Sequence, residues 1–438
     1  MIGYSGSGYK GMQLMPDQRT IEGDLFQAFV ATGAISKANA DDPRKSSLVR
    51  CARTDKGVHA AGNVISLKLI IEDPDLVSKI NSHLDPRIRV WGIQRTTSSF
   101  SCYSACDSRW YEYLIPTSCF LPPHPSTFLA TQLAQIAAED EKTAEINERQ
   151  QDVLAFWEDF ERKYITPILE GLSPELRERV EQALYKTDSV PREEYNAVAS
   201  MLGEDDEVVV PEDNAEQPTS QIHNEPELDT GMSTSNDPNL KENDTTGRKS
   251  LAPELEKPVK SLKAAYIAAK KAYRISPSRV EHIRRVLAKY EGTHNFHNFT
   301  IRKSAKDPSA KRFIKSFEIN GDPVIINDSE WLSLKVHGQS FMMHQIRKMV
   351  AMAALVVRSG TPLERMDEVM SEEAINIPKA PSLGLLLERP VFDNYNKFKA
   401  AENDKEDIDF ATYEKEMLEF KQREIYDRIF EEEEKDNV

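Results

Sequence analysis

The chain lacks any long apolar run. Its longest uninterrupted one extends only from Met349 to Val357, whereas a membrane-spanning helix needs about 20 apolar residues. No apolar segment opens the chain, so no signal peptide is visible. Cysteine is scarce as well: four in 438 residues are too few for a disulfide scaffold and suit a reducing compartment. Cys102 and Cys106 are spaced C-x3-C, with Cys119 downstream and His59 elsewhere. The second close ligand pair of a structural zinc site is missing. Reduced structural thiols are therefore the main reading, and bound zinc the minor alternative. Apolar residues make up only 39% against 29% charged, which implies that part of the chain builds no core.

What is abundant is negative charge, a formal −16, but it is unevenly spread. Residues 203–247 hold 13 acidic residues and one basic. Residues 401–438 hold 15 acidic and 6 basic. Residues 248–315, by contrast, carry 18 Lys/Arg and 5 Asp/Glu, a net of +13. The acidity lives in one insert and one tail, and the basic stretch suits a polyanion such as nucleic acid.

The pattern along 1–125 is that of an α+β domain. Tyr4-Ser5-Gly6-Ser7-Gly8-Tyr9-Lys10-Gly11 reads as a strand end running into a glycine-rich turn. It is a poor phosphate loop, since no helix follows at once. Only three residues precede it, so a longer natural protein is expected. Thr20 caps an amphipathic helix bearing Ile21, Leu25, Phe26 and Phe29. Segments 63–69, 87–93 and 110–115 alternate as strands, and Asp73-Pro74 opens a helix over about 74–84. This order predicts an antiparallel sheet related to the ferredoxin-like motif. Residues 126–202 read as a helical connection and 203–247 as a disordered acidic insert. Residues 248–400 form a basic α+β domain: Ser276 N-caps a helix with Pro277 at its first position, 311–319 and 331–337 are strands, 341–357 a buried helix, and Gly384–Leu387 starts a last strand. Residues 401–438 are an acidic helical tail.

Three stretches have residue types that could carry chemistry. In Ala52-Arg53-Thr54-Asp55-Lys56-Gly57-Val58-His59-Ala60, charged groups crowd a turn beside a glycine. A solvated Asp turn is the bland alternative. In Arg109-Trp110-Tyr111-Glu112-Tyr113, residues 109, 111 and 113 share one strand face. That face either stacks on a base or belongs to an aromatic core. In Ser340–Val350 an apolar helix carries Arg347 in its middle, one turn from His344. A buried arginine is costly unless it meets a carboxylate, and Asp55 is the attractive partner.

Together these stretches resemble the TruA family of tRNA pseudouridine synthases, most of all its eukaryotic branch, the pseudouridine synthase 1 type of fungi. The resemblance runs in order through Tyr4–Gln13, Arg53–Ala60, Arg109–Tyr113, Gly292-Thr293-His294-Asn295-Phe296-His297-Asn298-Phe299, Gly338–Arg347 and Ala380-Pro381-Ser382-Leu383-Gly384-Leu385-Leu386-Leu387. It implies two α+β domains whose antiparallel sheets join around a basic central cleft, with peripheral helices. It implies an isomerase that converts specific uridines to pseudouridine, mainly in tRNA, with small nuclear RNA and mRNA as further nuclear substrates. Asp55 matches the essential aspartate, and Arg53 the arginine of the same turn that helps hold the flipped-out nucleotide. Tyr111 matches the tyrosine that stacks on the uracil, and Arg347 the arginine that pairs with the aspartate. A leucine of the 384–387 segment closes the pocket, and Leu385 is favoured. The chemistry requires no cofactor. A monomeric, nuclear protein is expected, although no import signal is visible. The rival readings are an RNA-binding protein that has lost catalysis, against which Asp55, Tyr111 and Arg347 argue, and an acidic interaction protein, against which the charge distribution argues.

Overall fold

The computed structural model describes residues 1–185 and 253–436. The expected acidic insert at 203–247, and the part of the helical connection beyond 185, lie outside the described residues. In chain order the elements are β1 (Ile2–Tyr4), α1 (Ile21–Ala31), β2 (Val49–Arg50), β3 (His59–Asn63), β4 (Ile65–Ser66), α2 (Leu76–Ser82), β5 (Ile88–Val90) and β6 (Ser108–Pro116). Then come helices α3 (Phe128–Glu139), α4 (Thr143–Arg149), α5 (Phe156–Phe160), α6 (Thr166–Glu170) and α7 (Pro174–Tyr185). After the undescribed segment follow α8 (Pro253–Ala272), α9 (Pro277–Ala288), β7 (Gly292–Asn295), β8 (Lys311–Ile319), β9 (Val324–Ile326), β10 (Ser329–Gly338) and α10 (Gln345–Ser359). The chain closes with α11 (Arg365–Val369), β11 (Leu385–Val391), α12 (Glu414–Phe420) and α13 (Asp427–Asp436). The α+β class is as expected.

The chain divides into two compact units, Met1–Tyr164 with Ala264–Val438, and Ile165–Lys263. In the second, Arg179 pairs with Glu254 at 2.7 Å. The first holds the sheet.

Local signals fixed many boundaries. The Thr20 hydroxyl accepts from the Gly23 amide at 3.2 Å and starts α1, and the Ser276 hydroxyl accepts from the Arg279 amide at 3.1 Å and starts α9. Each satisfies an amide that the first helical turn leaves unpaired.

The strands of the two halves join in one sheet, antiparallel except where β11 meets β3. Nine strands form one sheet in the order β5-β1-β3-β11-β6-β10-β8-β7, with β9 on β10, and β2 and β4 make a separate ribbon. β11, from the C-terminal half, lies between two N-terminal strands, parallel to β3 and antiparallel to β6. β6 in turn pairs with β10. The strands of the two halves are interleaved, so residues from both reach the same face.

Alternation along β6 sends its side chains two ways. Trp110, Glu112 and Leu114 face the acidic tail. Leu114 packs there with Trp331, Leu386, Phe420, Ile425, Ile429 and Phe430. Burying such rings and branched chains stabilises by about 1.5–3 kcal/mol each. The tail carries α12 and α13, and its apolar stripe is core. Its Lys421 pairs with Glu112 at 2.7 Å and with Glu388. Arg109, Tyr111 and Tyr113 face the other way, toward the candidate site.

Candidate active site

The Asp55 turn is built on the glycine-rich start of the chain. The Thr54 carbonyl accepts from the Met12 amide at 3.1 Å, and the Thr54 hydroxyl lies 2.9 Å from the buried Tyr4 hydroxyl. Burial pushes the Tyr4 phenol up to about 12, so it stays neutral. Asn63 donates to Tyr4 Oη at 3.2 Å and to the Ala52 carbonyl at 3.0 Å. His59, fully buried and pushed down to about 4 by its burial, accepts the Gly6 amide on Nδ1 at 3.1 Å. A Cβ on Gly6 would sit 2.3 Å from the Val58 carbonyl oxygen. The glycine is thus a close-approach device that lets two backbones touch, not a phosphate loop. The Val58 amide donates to the Asp55 carbonyl at 3.1 Å, and Gly57 takes φ +77° to close that turn. The Asp55 side chain is left 34% exposed at the surface of this scaffold. Arg53 is exposed beside it.

On β6 the three residues that share a face divide their roles. Arg109 is buried, and its guanidinium donates to the Cys51 carbonyl at 2.9 Å and the Gln339 carbonyl at 3.2 Å. The Tyr113 hydroxyl donates to the Pro381 carbonyl at 2.8 Å. Both are therefore spent on the protein's own backbone. Tyr111 is 8% exposed, and the Phe341 ring stands edge-on to it at 5.3 Å between centroids. Burial raises its phenol well above the ordinary range; Arg109 opposes the shift and the nearby Asp55 adds to it. Leu387 stands opposite Tyr111 in the β11–β6 register and Leu385 opposite Tyr113, so the favoured Leu385 sits two residue pairs along from Tyr111.

The third group comes from the N-terminus of α10. His344 is the N-cap residue with φ 61°, a left-handed backbone, and its ring is 5% exposed. Its Nδ1 lies 3.1 Å from Asp55 Oδ2. The Arg347 guanidinium instead donates through Nε to the Ala380 carbonyl at 2.6 Å, and the Ala380 amide returns a bond to the Arg347 carbonyl at 3.2 Å. The expected ion pair between Arg347 and Asp55 is not formed: among the described residues no carboxylate lies within 4.0 Å of Arg347, and the basic side chain within that distance of Asp55 is the His344 imidazole. The physical reason is the left-handed turn at 344, which brings the imidazole to Asp55, while Arg347, one turn on, is held by the 380 loop.

The His294–Phe299 block supports this corner. The buried Lys348 donates to the Asn298 and Thr300 carbonyls at 3.2 and 3.0 Å, and the Thr300 hydroxyl donates to the Met343 carbonyl at 2.9 Å. Sequence reading singled out the 338–347 block yet missed His344 as the Asp55 partner; a polar residue at the entry of an apolar helix was the available signal. It also left Arg109 between base contact and core. The four cysteines are free, with Cys102 and Cys106 donating to the Val49 and Ser108 carbonyls. Among the described residues no group of three or more His, Cys, Asp or Glu is placed to hold a metal ion. Nor is any described helix long and apolar enough to cross a membrane.

Comparison with known proteins adds to this geometry. The family described as tRNA pseudouridine synthase matches residues 286–393. The tRNA pseudouridine synthase 1 of Yarrowia lipolytica is 44% identical over 439 residues, covering 100% of this chain and 71% of the relative. That of Schizosaccharomyces pombe is 43% identical, covering 100% of this chain and 80% of the relative. The tRNA pseudouridine(27/28) synthase of Saccharomyces cerevisiae is 35% identical over 90% of this chain and 84% of its own length.

Proposed function

The chain belongs to the TruA family of tRNA pseudouridine synthases, and on that premise we propose a mechanism in which Asp55 is the essential carboxylate. The protein is an RNA pseudouridine synthase that acts on tRNA. The reaction breaks the C1′–N1 bond of uridine, turns the uracil, and joins C5 to C1′; the hydrogen leaves C5 and N1 gains one. Nothing is oxidised or reduced, so the chemistry requires no cofactor.

The observation that carries the assignment is the Asp55 carboxylate, partly exposed on a turn pinned from below by Tyr4 and Met12, with a buried imidazole at 3.1 Å. Such a carboxylate suits attack on C1′ or removal of a proton from C2′; both need it ionised and fixed. The target uridine must leave the RNA stack to reach it. Tyr111 supplies the stacking face, with the Phe341 ring edge-on beside it. Leu385, buried next to Tyr113, closes the pocket. Arg53, exposed in the same turn, holds the nucleotide's phosphate. Arg347 grips the 380 loop through Nε, and its terminal nitrogens lend positive charge to the pocket.

The RNA backbone is held along the basic stretch. Arg302, Lys306, Lys311 and Lys315 are exposed, and Phe313, 43% exposed, lies between two of these lysines on β8. Lysines contact phosphates without reading sequence, and a ring between them offers a base a stacking surface. The fuller reading is of two ferredoxin-like halves around a basic cleft, in a monomeric nuclear protein that also takes small nuclear RNA and mRNA as substrates.

The test is tritium release from tRNA labelled at uracil C5. Asp55→Asn keeps the shape and loses the charge, so release should stop while tRNA affinity stays within about threefold. Turnover by a pure Asp55→Asn sample near that of the unmodified chain would remove the assignment.

A further inference from the structure

Two costs meet at His344. A non-glycine residue held at φ 61° sits in a strained, left-handed backbone. Its buried Nδ1 has no aligned hydrogen-bond partner, which is a further cost. Such costs persist only where the surroundings impose them, and here they are imposed. The Met343 carbonyl is tied to the Thr300 hydroxyl at 2.9 Å, the Met342 amide to Gln345 Oε1 at 2.9 Å, and the His344 carbonyl accepts the Lys348 amide at 3.0 Å. Lys348 is itself locked on two carbonyls. The segment is braced on both sides so that one ring faces one carboxylate, with Nδ1 3.1 Å from Asp55 Oδ2. The distance suits a hydrogen bond and only the alignment is short of one; catalytic contacts commonly tighten when substrate binds.

Resting on the assignment of Asp55, we propose that His344 is its positioning residue. The Nδ1–H donates to Oδ2 and thereby aims Oδ1 at the ribose. His344 touches no reacting atom and acts through the carboxylate. The strained backbone is what makes the contact: a right-handed residue at this helix entry would point its side chain elsewhere. Arg347, gripping Ala380, shapes the pocket wall.

Asparagine separates donor from ring. It accepts left-handed backbone readily, and its amide nitrogen falls where Nδ1 sits. Glutamine places its nitrogen nearer Nε2. Glycine accepts the backbone and offers no donor. Full-length His344→Gly, His344→Asn and His344→Gln should be compared for kcat and KM in tritium release, with urea unfolding alongside. The expected result is a fall in kcat of tenfold or more for His344→Gly with KM for tRNA within threefold, and recovery of most of that loss by His344→Asn. A misplacement of about 1 Å at a reacting group can cost roughly 100-fold. A kcat for folded His344→Gly within threefold of the unmodified chain would overturn the proposal, and so would His344→Asn as slow as His344→Gly. Should His344→Gly fail to fold, the ratio of His344→Asn to His344→Gln decides: tenfold in favour of Asn supports the proposal, and equality overturns it. Asp55→Asn in the same assay keeps the two readings apart. An active Asp55→Asn removes the assignment of the carboxylate, whereas an inactive one beside an unimpaired His344→Gly removes only the positioning role.

Discussion

Replacing Arg109 with methionine should weaken the fold and the site together. Arg109 is 9% exposed, and its guanidinium meets two carbonyls, those of Cys51 at 2.9 Å and Gln339 at 3.2 Å. Methionine fills similar volume and donates nothing. Each carbonyl left unpaired in the interior costs about 1–3 kcal/mol. Part of that is returned, because an isolated buried charge no longer has to be kept out of water. The expected net loss is about 2–4 kcal/mol in urea unfolding. Activity should fall further than stability predicts. Cys51 leads into the Asp55 turn and Gln339 into the His344 turn, so cutting Arg109 frees both at once. Arg109→Lys keeps the charge, but a single ammonium cannot span two carbonyls as a planar fork does. It should lose most of the same stability. An unfolding midpoint for Arg109→Met indistinguishable from the unmodified chain would refute the reasoning, and full recovery by lysine would show that charge matters and the fork does not.

Gly57→Ala should lose about 1–2 kcal/mol from the left-handed φ of +77°, with its Cβ 3.1 Å from the Ser382 hydroxyl. Since Asp55 lies two residues back, kcat should drop at least tenfold at folded-protein concentrations matched by circular dichroism; an unchanged kcat would mean that the turn does not hold the carboxylate. His59 is pushed down to about 4 by burial, from an ordinary 6.5. The unfolded chain then binds the extra proton first, so stability is full above about 6.5 and is lost as pH falls toward 4, by about 3 kcal/mol. His59→Asn keeps an acceptor for Gly6 and removes the titration. It should be less stable at pH 7, through the cavity it leaves, and show a shallower acid decline; a slope identical to that of the unmodified chain would refute this.

What the sequence disclosed was mostly local. Ser276-Pro277 and Thr20 announced their helices because a hydroxyl at an N-cap acts within three residues. β8 was legible from end to end, since alternation needs no knowledge of a partner. The insertion of β11 between β3 and β6 was not legible, because which strand pairs with which depends on contacts hundreds of residues apart. The tail was read by its charge, and its apolar stripe of Phe420, Ile425, Ile429 and Phe430 was outweighed by the glutamates between. At the site, residue types pointed to Asp55, Tyr111 and the 338–347 block. The choice between His344 and Arg347 turned on a single backbone angle, and no side-chain pattern encodes that.

These features bear on how the site keeps its shape before RNA arrives. An aspartate held by one long ion pair would swing with its partner, and a surface-facing pair is worth only about 0–1 kcal/mol. Here the turns that carry Asp55 and His344 are each held by contacts of their own, so that the imidazole meets a carboxylate whose backbone is already fixed. Thr54 is fixed by Met12 and Tyr4, Cys51 and Gln339 by Arg109, and Met343 by Thr300. Apart from the Thr54–Tyr4 pair of hydroxyls, each of these anchors ends on a backbone carbonyl, which has no rotamer to lose. The turn that carries Asp55 and the turn that carries His344 are consequently tied to one strand, β6, whose next residue on that face is Tyr111. Because β11 enters the sheet beside that strand, the 380 loop is delivered to the same corner by register alone. A site assembled this way depends on the sheet being continuous across both halves, so damage to β11 or to the tail that covers its far side should reach catalysis without touching a single group that meets the uridine.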